Sequence, residues 1–161
     1  MNMTIAEITM DPKTKRIANM VLFRKDHRFK CQRCAIFCCR LGGPKINNKD
    51  LQRLKQAGYD AKNFVKNVKK ENVNKGFLKE KEDGSCVFLE YSDKSKKYAC
   101  LIYNFRPSVC RLYPFEFTLT SPNVGILRVI PCCNGLNVLD GELVNQKFVE
   151  KNLLEAIIDS L

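Results

Sequence analysis

Nine cysteines punctuate this chain of 161 residues: Cys31, Cys34, Cys38, Cys39, Cys86, Cys100, Cys110, Cys132 and Cys133. Four of them fall within nine residues, spaced C-x2-C-x3-CC. A deprotonated cysteine is a soft, charged donor that binds zinc, Cu(I) or iron–sulfur clusters. In C-x2-C a tight turn aims two sulfurs at one ion, so Cys31 and Cys34 are the first candidate pair. Adjacent cysteines point to opposite sides of an extended chain, so Cys38 and Cys39 serve two metals or leave one thiol out. A zinc ribbon would repeat C-x2-C, and the second half of the chain does not. The chain is expected to be organised around a metal site.

Structural disulfides are the competing use of so many thiols. The first 16 residues are polar, with no apolar leader or small-residue cleavage site. Ile17 to Phe23 is too short to span a membrane, and no 18-residue apolar run occurs elsewhere. The cysteine count is odd, and bonding Cys38 to its neighbour Cys39 would be strained. These features point to a reducing compartment, and a cytoplasmic location is expected.

Other chemistries are poorly represented. His27 is the only histidine; it lies in a basic approach to Cys31 and is expected at the surface. There is no Ser-His-Asp set, no H-E-x-x-H, no G-x-G-x-x-G and no G-x4-G-K-[ST]. The formal charge of +11 attracts acidic proteins, nucleic acid or anionic surfaces. The lysines are scattered from Lys66 to Lys97 without aromatic interleaving, which favours a solvated face over a single-strand binding platform.

The elements that must carry the cysteines follow from pattern. One domain is expected over residues 1–161, with a cysteine-bearing core at 29–137. A helix is expected over Thr14 to Phe23. Gly42-Gly43-Pro44 marks a turn. Asn47 or Asn48 can cap a helix carrying Leu51 and Leu54 and ended by Gly58; Asp60 can cap a second one with Phe64 and Val68. Lys69 to Asp83 reads as a polar connector. Cys86 to Tyr91 and Tyr98 to Tyr103 read as a hairpin, with Cys100 opposite Cys86. Cys110, after Pro107, enters a helical turn. Phe115–Thr120 and Val124–Ile130 form a second hairpin. Residues 143–161 read as one amphipathic helix. The fold class is α+β: a small domain of short antiparallel hairpins with peripheral helices around a cysteine-ligated metal site.

Residues 29–34, the pair Cys38-Cys39, Asp50-Leu51, the run Gly84 to Leu89 and above all Cys100-Leu-Ile-Tyr-Asn-Phe-Arg-Pro-Ser-Val-Cys110-Arg-Leu-Tyr-Pro-Phe115 resemble the YkgJ-type cysteine-cluster family. That resemblance implies a zinc- or iron-chelating domain with eight shared cysteines. Cys133-Asn134-Gly135 fits the last of them and leaves Cys132 spare. The implied ligands are Cys31, Cys34, Cys38, Cys39, Cys86, Cys100, Cys110 and Cys133. The gap Ala35-Ile36-Phe37 is one residue longer than the family's usual spacing, so the roles of Cys38 and Cys39 stay open.

Arg106 and Arg111 are cations within the same string, able to stabilise a thiolate-bound group; ordinary ion pairing is the alternative. Arg40 flanks the cysteines as well. Tyr103, Tyr113 and Phe115 could wall the site or simply pack in the core, and Asp50 and Glu116 are weaker polar candidates. Related domains occur in flagellin lysine-N-methylases, which by resemblance favours an iron–sulfur cluster over zinc. The expected function is metal binding with a redox or metal-handling role. The alternatives are a metal-cluster enzyme related to those methylases and a zinc-stapled nucleic-acid-binding module.

Overall fold

The computed structural model describes residues 2–67 and 76–161. Among the described residues the elements run β1 (Met3–Met10), β2 (Ile17–Leu22), β3 (Arg28–Phe29), β4 (Lys45–Ile46), α1 (Asn48–Gln56), α2 (Ala61–Phe64), β5 (Val65–Asn67), β6 (Gly76–Leu78), β7 (Leu89–Ser92), β8 (Lys97–Cys100), a 3-10 turn at Tyr103–Phe105, α3 (Ser108–Leu112), β9 (Phe115–Ser121), β10 (Val124–Val129), β11 (Glu142–Leu143), α4 (Gln146–Asn152) and α5 (Leu154–Ser160). This is a small mixed α/β protein with antiparallel strand pairing. Its contacts divide it into two compact units, Met1–Gln32 with Leu112–Asp159, and Arg33–Arg111. No helix among the described residues is long and apolar enough to cross a membrane.

The first unit is built on a four-stranded sheet in the order β2-β1-β10-β9. The expected β9–β10 hairpin is present. The expected helix over Thr14 to Phe23 is not. Asp11 accepts the Lys13 and Thr14 amides at 2.8 and 2.7 Å, a side-chain-stabilised turn. It sends Ile17–Leu22 back along β1, with Ala6 opposite Leu22 and Ile8 opposite Met20. A long-range strand partner thus overrides the local helical pattern.

The tail also departs from the single helix expected over 143–161. Residues 142–143 pair with β3, Asn145 caps α4 by accepting the Phe148 amide at 2.9 Å, and the helix is interrupted at Leu153, whose φ of −119° leaves the helical range. Phe148, Val149, Leu153, Ala156 and Ile157 recur at helical spacing and enter one core with Ile5, Ile8, Leu127 and Val129. Burying each Ile, Leu, Val or Phe side chain of this set contributes about 1.5–3 kcal/mol.

His27 is not at the surface. It is 5% exposed, its Nδ1 lies 3.1 Å from the Asn137 Oδ1, and its carbonyl accepts the Val144 amide at 2.8 Å. Pairing of β3 with β11 carries this short segment inward despite its basic neighbours.

The second unit holds a three-stranded sheet, β4-β6-β5, and the β7–β8 hairpin. Asn47 and Asp50 form a reciprocal capping box at the start of α1, and Asp60 caps α2 by accepting the Lys62 amide at 3.0 Å. The helix expected to run from Asp60 past Phe64 to Val68 stops at Phe64, because Val65–Asn67 pairs with β6 as a strand; Val68 and residues 69–75 of the expected connector lie outside the described residues. The rest of that connector is not all loop: Gly76–Leu78 is the central strand β6, because Lys45–Ile46 and Val65–Asn67 supply partners on both of its edges. Leu78 joins Leu54, Phe64, Phe88 and Ile102 in this unit's core, where Tyr59 packs edge-on to Phe88 at 5.5 Å.

Candidate metal centre

Three segments of the second unit carry cysteines. The first is the loop from Arg33 to Gly43. Arg33 and Ala35 adopt left-handed backbone, with φ of 54° and 58°, which is costly for residues with a Cβ. The Ala35 carbonyl accepts the Cys39 and Arg40 amides at 3.3 and 2.9 Å, closing a tight turn around Cys38 and Cys39. At the end of the loop a Cβ on Gly43 would meet the Leu78 carbonyl oxygen at 1.7 Å, so only glycine lets the two backbones approach.

The second segment carries Cys86, which is 4% exposed. Its amide donates to the Cys39 carbonyl at 2.8 Å. Cys86 does not begin the hairpin strand and does not face Cys100. Leu89 is the residue opposite Cys100; Cys86 precedes the strand and bridges to Glu80. The Asp83 carboxylate holds this preceding turn by accepting the Ser85 amide and hydroxyl at 2.9 and 2.6 Å. The third segment runs from Cys100, at the end of β8, to Cys110 in α3. The Cys110 and Arg111 amides donate to the Pro107 carbonyl at 2.9 and 3.0 Å, so Pro107 opens the helical turn as expected.

Cys38, Cys39, Cys86, Cys100 and Cys110 lie in one another's electrostatic field. Donation from the Cys39 thiol holds Cys38 down at about 7, against the opposing effect of burial, with Arg106 assisting. Cys39 is pushed up by that same bond, by burial and by the neighbouring Cys38, Cys110 and Cys86. Burial raises Cys86, with Cys100 and Cys38 adding to it. Burial likewise raises Cys100, opposed by Arg106. Cys110 is raised by burial, then by Cys86 and Cys100, again opposed by Arg106. Neighbouring thiols of this kind hinder one another's ionisation; a bound cation would reverse that penalty and take them as thiolates. The donor chemistry therefore fits a thiophilic metal. Among the described residues, no group of three or more His, Cys, Asp or Glu side chains already stands in metal-holding geometry.

Cys34 is half-buried on the same loop. Cys31, Cys132 and Cys133 belong to the first unit. There the Lys30 amide donates to the Gly135 carbonyl at 2.9 Å and Phe29 bridges to Leu136, which sets the segments of Cys31 and Cys133 side by side. Cys31 and Cys132 are exposed and Cys133 is half-buried.

Arg106 is held by its own Nε, which donates to the Tyr103 carbonyl at 3.1 Å, and by stacking 3.9 Å above the Tyr103 ring. Arg111 is half-buried in α3. Arg40 lies 5.8 Å over Tyr98. Tyr103 is 56% exposed and does not shut water out. Tyr113 is half-buried, while Phe115 packs in the first unit's core, 5.5 Å from Phe29. Glu116 is exposed and accepts from Asn2 at 2.8 Å. Asp50 is almost fully buried, at 1% exposure. Its partner Ser108, also buried, is not singled out by the sequence reading; a serine directly after proline at a helix start is the signal that marks it.

Residues 30–151 match the model of the CxxCxxCC family, described as "Putative zinc- or iron-chelating domain". The chain belongs to this family. An uncharacterized protein of Methanocaldococcus jannaschii is 30% identical over 126 residues, a match covering 74% of this chain and 64% of the relative. No solved structure matches the chain. The CxxCxxCC name spells two residues before the cysteine pair, whereas this member has three, Ala35, Ile36 and Phe37. The longer gap falls in the turn closed by the Ala35 carbonyl. Metal chelation is the activity that the family description supports.

Proposed function

We propose that this CxxCxxCC protein holds a thiolate-bound metal centre in the cytoplasm, an iron–sulfur cluster in preference to zinc, with a redox or metal-handling role. The observation that carries the reading is the match of residues 30–151 to a chelating family, supported by the backbone bond that joins the Cys86 segment to the Cys38–Cys39 loop in the second unit and by the mutual effect of Cys38, Cys39, Cys86, Cys100 and Cys110 on their ionisation. Cys34 lies on the same loop, and the family resemblance adds Cys31 and Cys133 as ligands. Arg106 supports the centre as a cation that favours the ionised thiols, and Arg111 is proposed for the same role. Eight dispersed cysteines with CC pairs depart from the usual structural-zinc spacing, which favours a cluster. The net charge of +11 suits an acidic protein or nucleic acid as a further partner.

Anaerobic purification with iron, zinc and acid-labile sulfide quantification tests the reading. Brown protein containing iron and sulfide, bleaching on reduction, is expected. Colourless protein with stoichiometric zinc would replace the cluster by zinc and keep the site. Protein that takes up neither metal would end the metal-centre reading.

A further inference from the structure

We propose that Asp50 is a positioning residue of the metal centre: acting through Ser108, it fixes the start of α3 and with it the place of Cys110. The inference rests on the metal-centre reading above.

A buried carboxylate must be supplied with donors. Asp50 Oδ2 accepts the Asn47 amide at 3.1 Å, which completes the capping box of α1. That task occupies one oxygen and leaves the other unexplained. Oδ1 accepts the Ser108 amide at 2.8 Å, and Oδ2 also accepts the Ser108 hydroxyl at 3.2 Å. The Asn47 Nδ2 donates to the same hydroxyl oxygen at 3.3 Å. Ser108 is itself 4% exposed.

The geometry has a purpose in α3. That helix is five residues long, too short to be stable alone, and its first amides have no partners inside the helix. Its leading amide finds an acceptor on α1, far away in sequence. Arg53, on the next part of α1, donates from Nη1 to the Arg106 carbonyl at 3.5 Å. The two sides of Pro107 are thus held by one helix, and Leu54, fully buried one turn after Asp50, anchors that helix in the core. Cys110 follows two residues after Ser108. A ligand carried on a single unsupported turn needs such outside support to stay within reach of a metal.

The test uses the full chain. The alkylation rate of each cysteine by iodoacetamide is measured in metal-free protein, and zinc affinity is measured by chelator competition. Asp50→Asn is expected to speed alkylation of Cys110 selectively relative to Cys100, and to weaken zinc binding about 10–100-fold, the range for lost support of a ligand. Ser108→Ala, which keeps the carboxylate and its Asn47 bond, is expected to move both in the same direction by less. Should Asp50→Asn fail to fold, Ser108→Ala carries the same comparison. Leu54→Ala supplies the pattern of general destabilisation, in which the thiols of the second unit accelerate together. An Asp50→Asn profile of that uniform kind, or one unchanged from wild type, overturns the proposal. Should the wild type take up no zinc or iron, the metal-centre reading falls, and the alkylation ratio still decides whether Asp50 holds Cys110.

Discussion

The Cys86 amide donates to the Cys39 carbonyl at 2.8 Å. That backbone bond ties the turn before β7 to the loop bearing the cysteine pair. The approach of the two sulfur-bearing segments is therefore built into the main chain, so a metal bound there would have side chains to arrange rather than these two backbones to gather.

Replacement of ligands follows from this placement. Cys86→Ser is expected to cut metal content sharply, because serine is a harder and far less acidic donor, with an affinity loss beyond the ~10–100-fold of a lost supporting contact. Cys132→Ser, at an exposed position, is expected to leave metal content near wild type. Metal analysis of purified variants checks both; equal losses from Cys132→Ser and Cys133→Ser would show that the pair is misassigned.

Metal removal is expected to act unequally on the two units. The first has its own core, with Ile8, Leu127, Val149 and Ile157 fully buried. The second has a smaller core that includes Cys86 and is lined by Cys38, Cys39 and Cys100, so binding energy there is in part folding energy. Under strong chelation, amide hydrogen exchange is expected to rise across β4 to β8 while β1 and β10 stay protected. Unchanged protection in the second unit would count against this.

The cysteines also set a pH profile for the metal-free chain. Cys38 is depressed from 9.0 to about 7, so its contribution is fully present above pH 9 and lost as pH falls through about 7. Cys39, Cys86, Cys100 and Cys110 are raised, so their contributions are intact below pH 9 and lost as pH climbs above it. The cysteine contribution to stability should peak near pH 9. Denaturant titrations of reduced, metal-free protein from pH 6 to 11, compared with a Cys38→Ser variant that lacks the rise between 7 and 9, check the sign.

Gly43→Ala should damage the cysteine loop from outside the ligand set. The added Cβ would stand 1.7 Å from the Leu78 carbonyl oxygen, a backbone atom that cannot rotate away. A stability loss of about 1–3 kcal/mol is expected for such overpacking, with reduced metal content. Thermal unfolding and metal analysis read the two effects; wild-type values in both would contradict the contact.

Local signals in the sequence carry much of this protein. Thiol chemistry and spacing single out the cysteine segments, and the run from Cys100 to Phe115 carries the family resemblance. Asn47 and Asp60 reveal their helices because a cap acts within three residues, and β9 and β10 show their hairpin because their partner is adjacent. Tertiary structure decided what depends on distant partners. Ile17–Leu22 became a strand because β1 offered an edge, His27 went inward because β3 paired with β11, and the tail became two helices divided at Leu153. Cys86 does not face Cys100 because the turn that pairs Ser92 with Lys97 sets a register in which Leu89 takes that place. Asp50 reads from sequence only as a weak polar candidate; folding alone brings Ser108 to its carboxylate, since a contact between residues so far apart is set by packing and not by local preference.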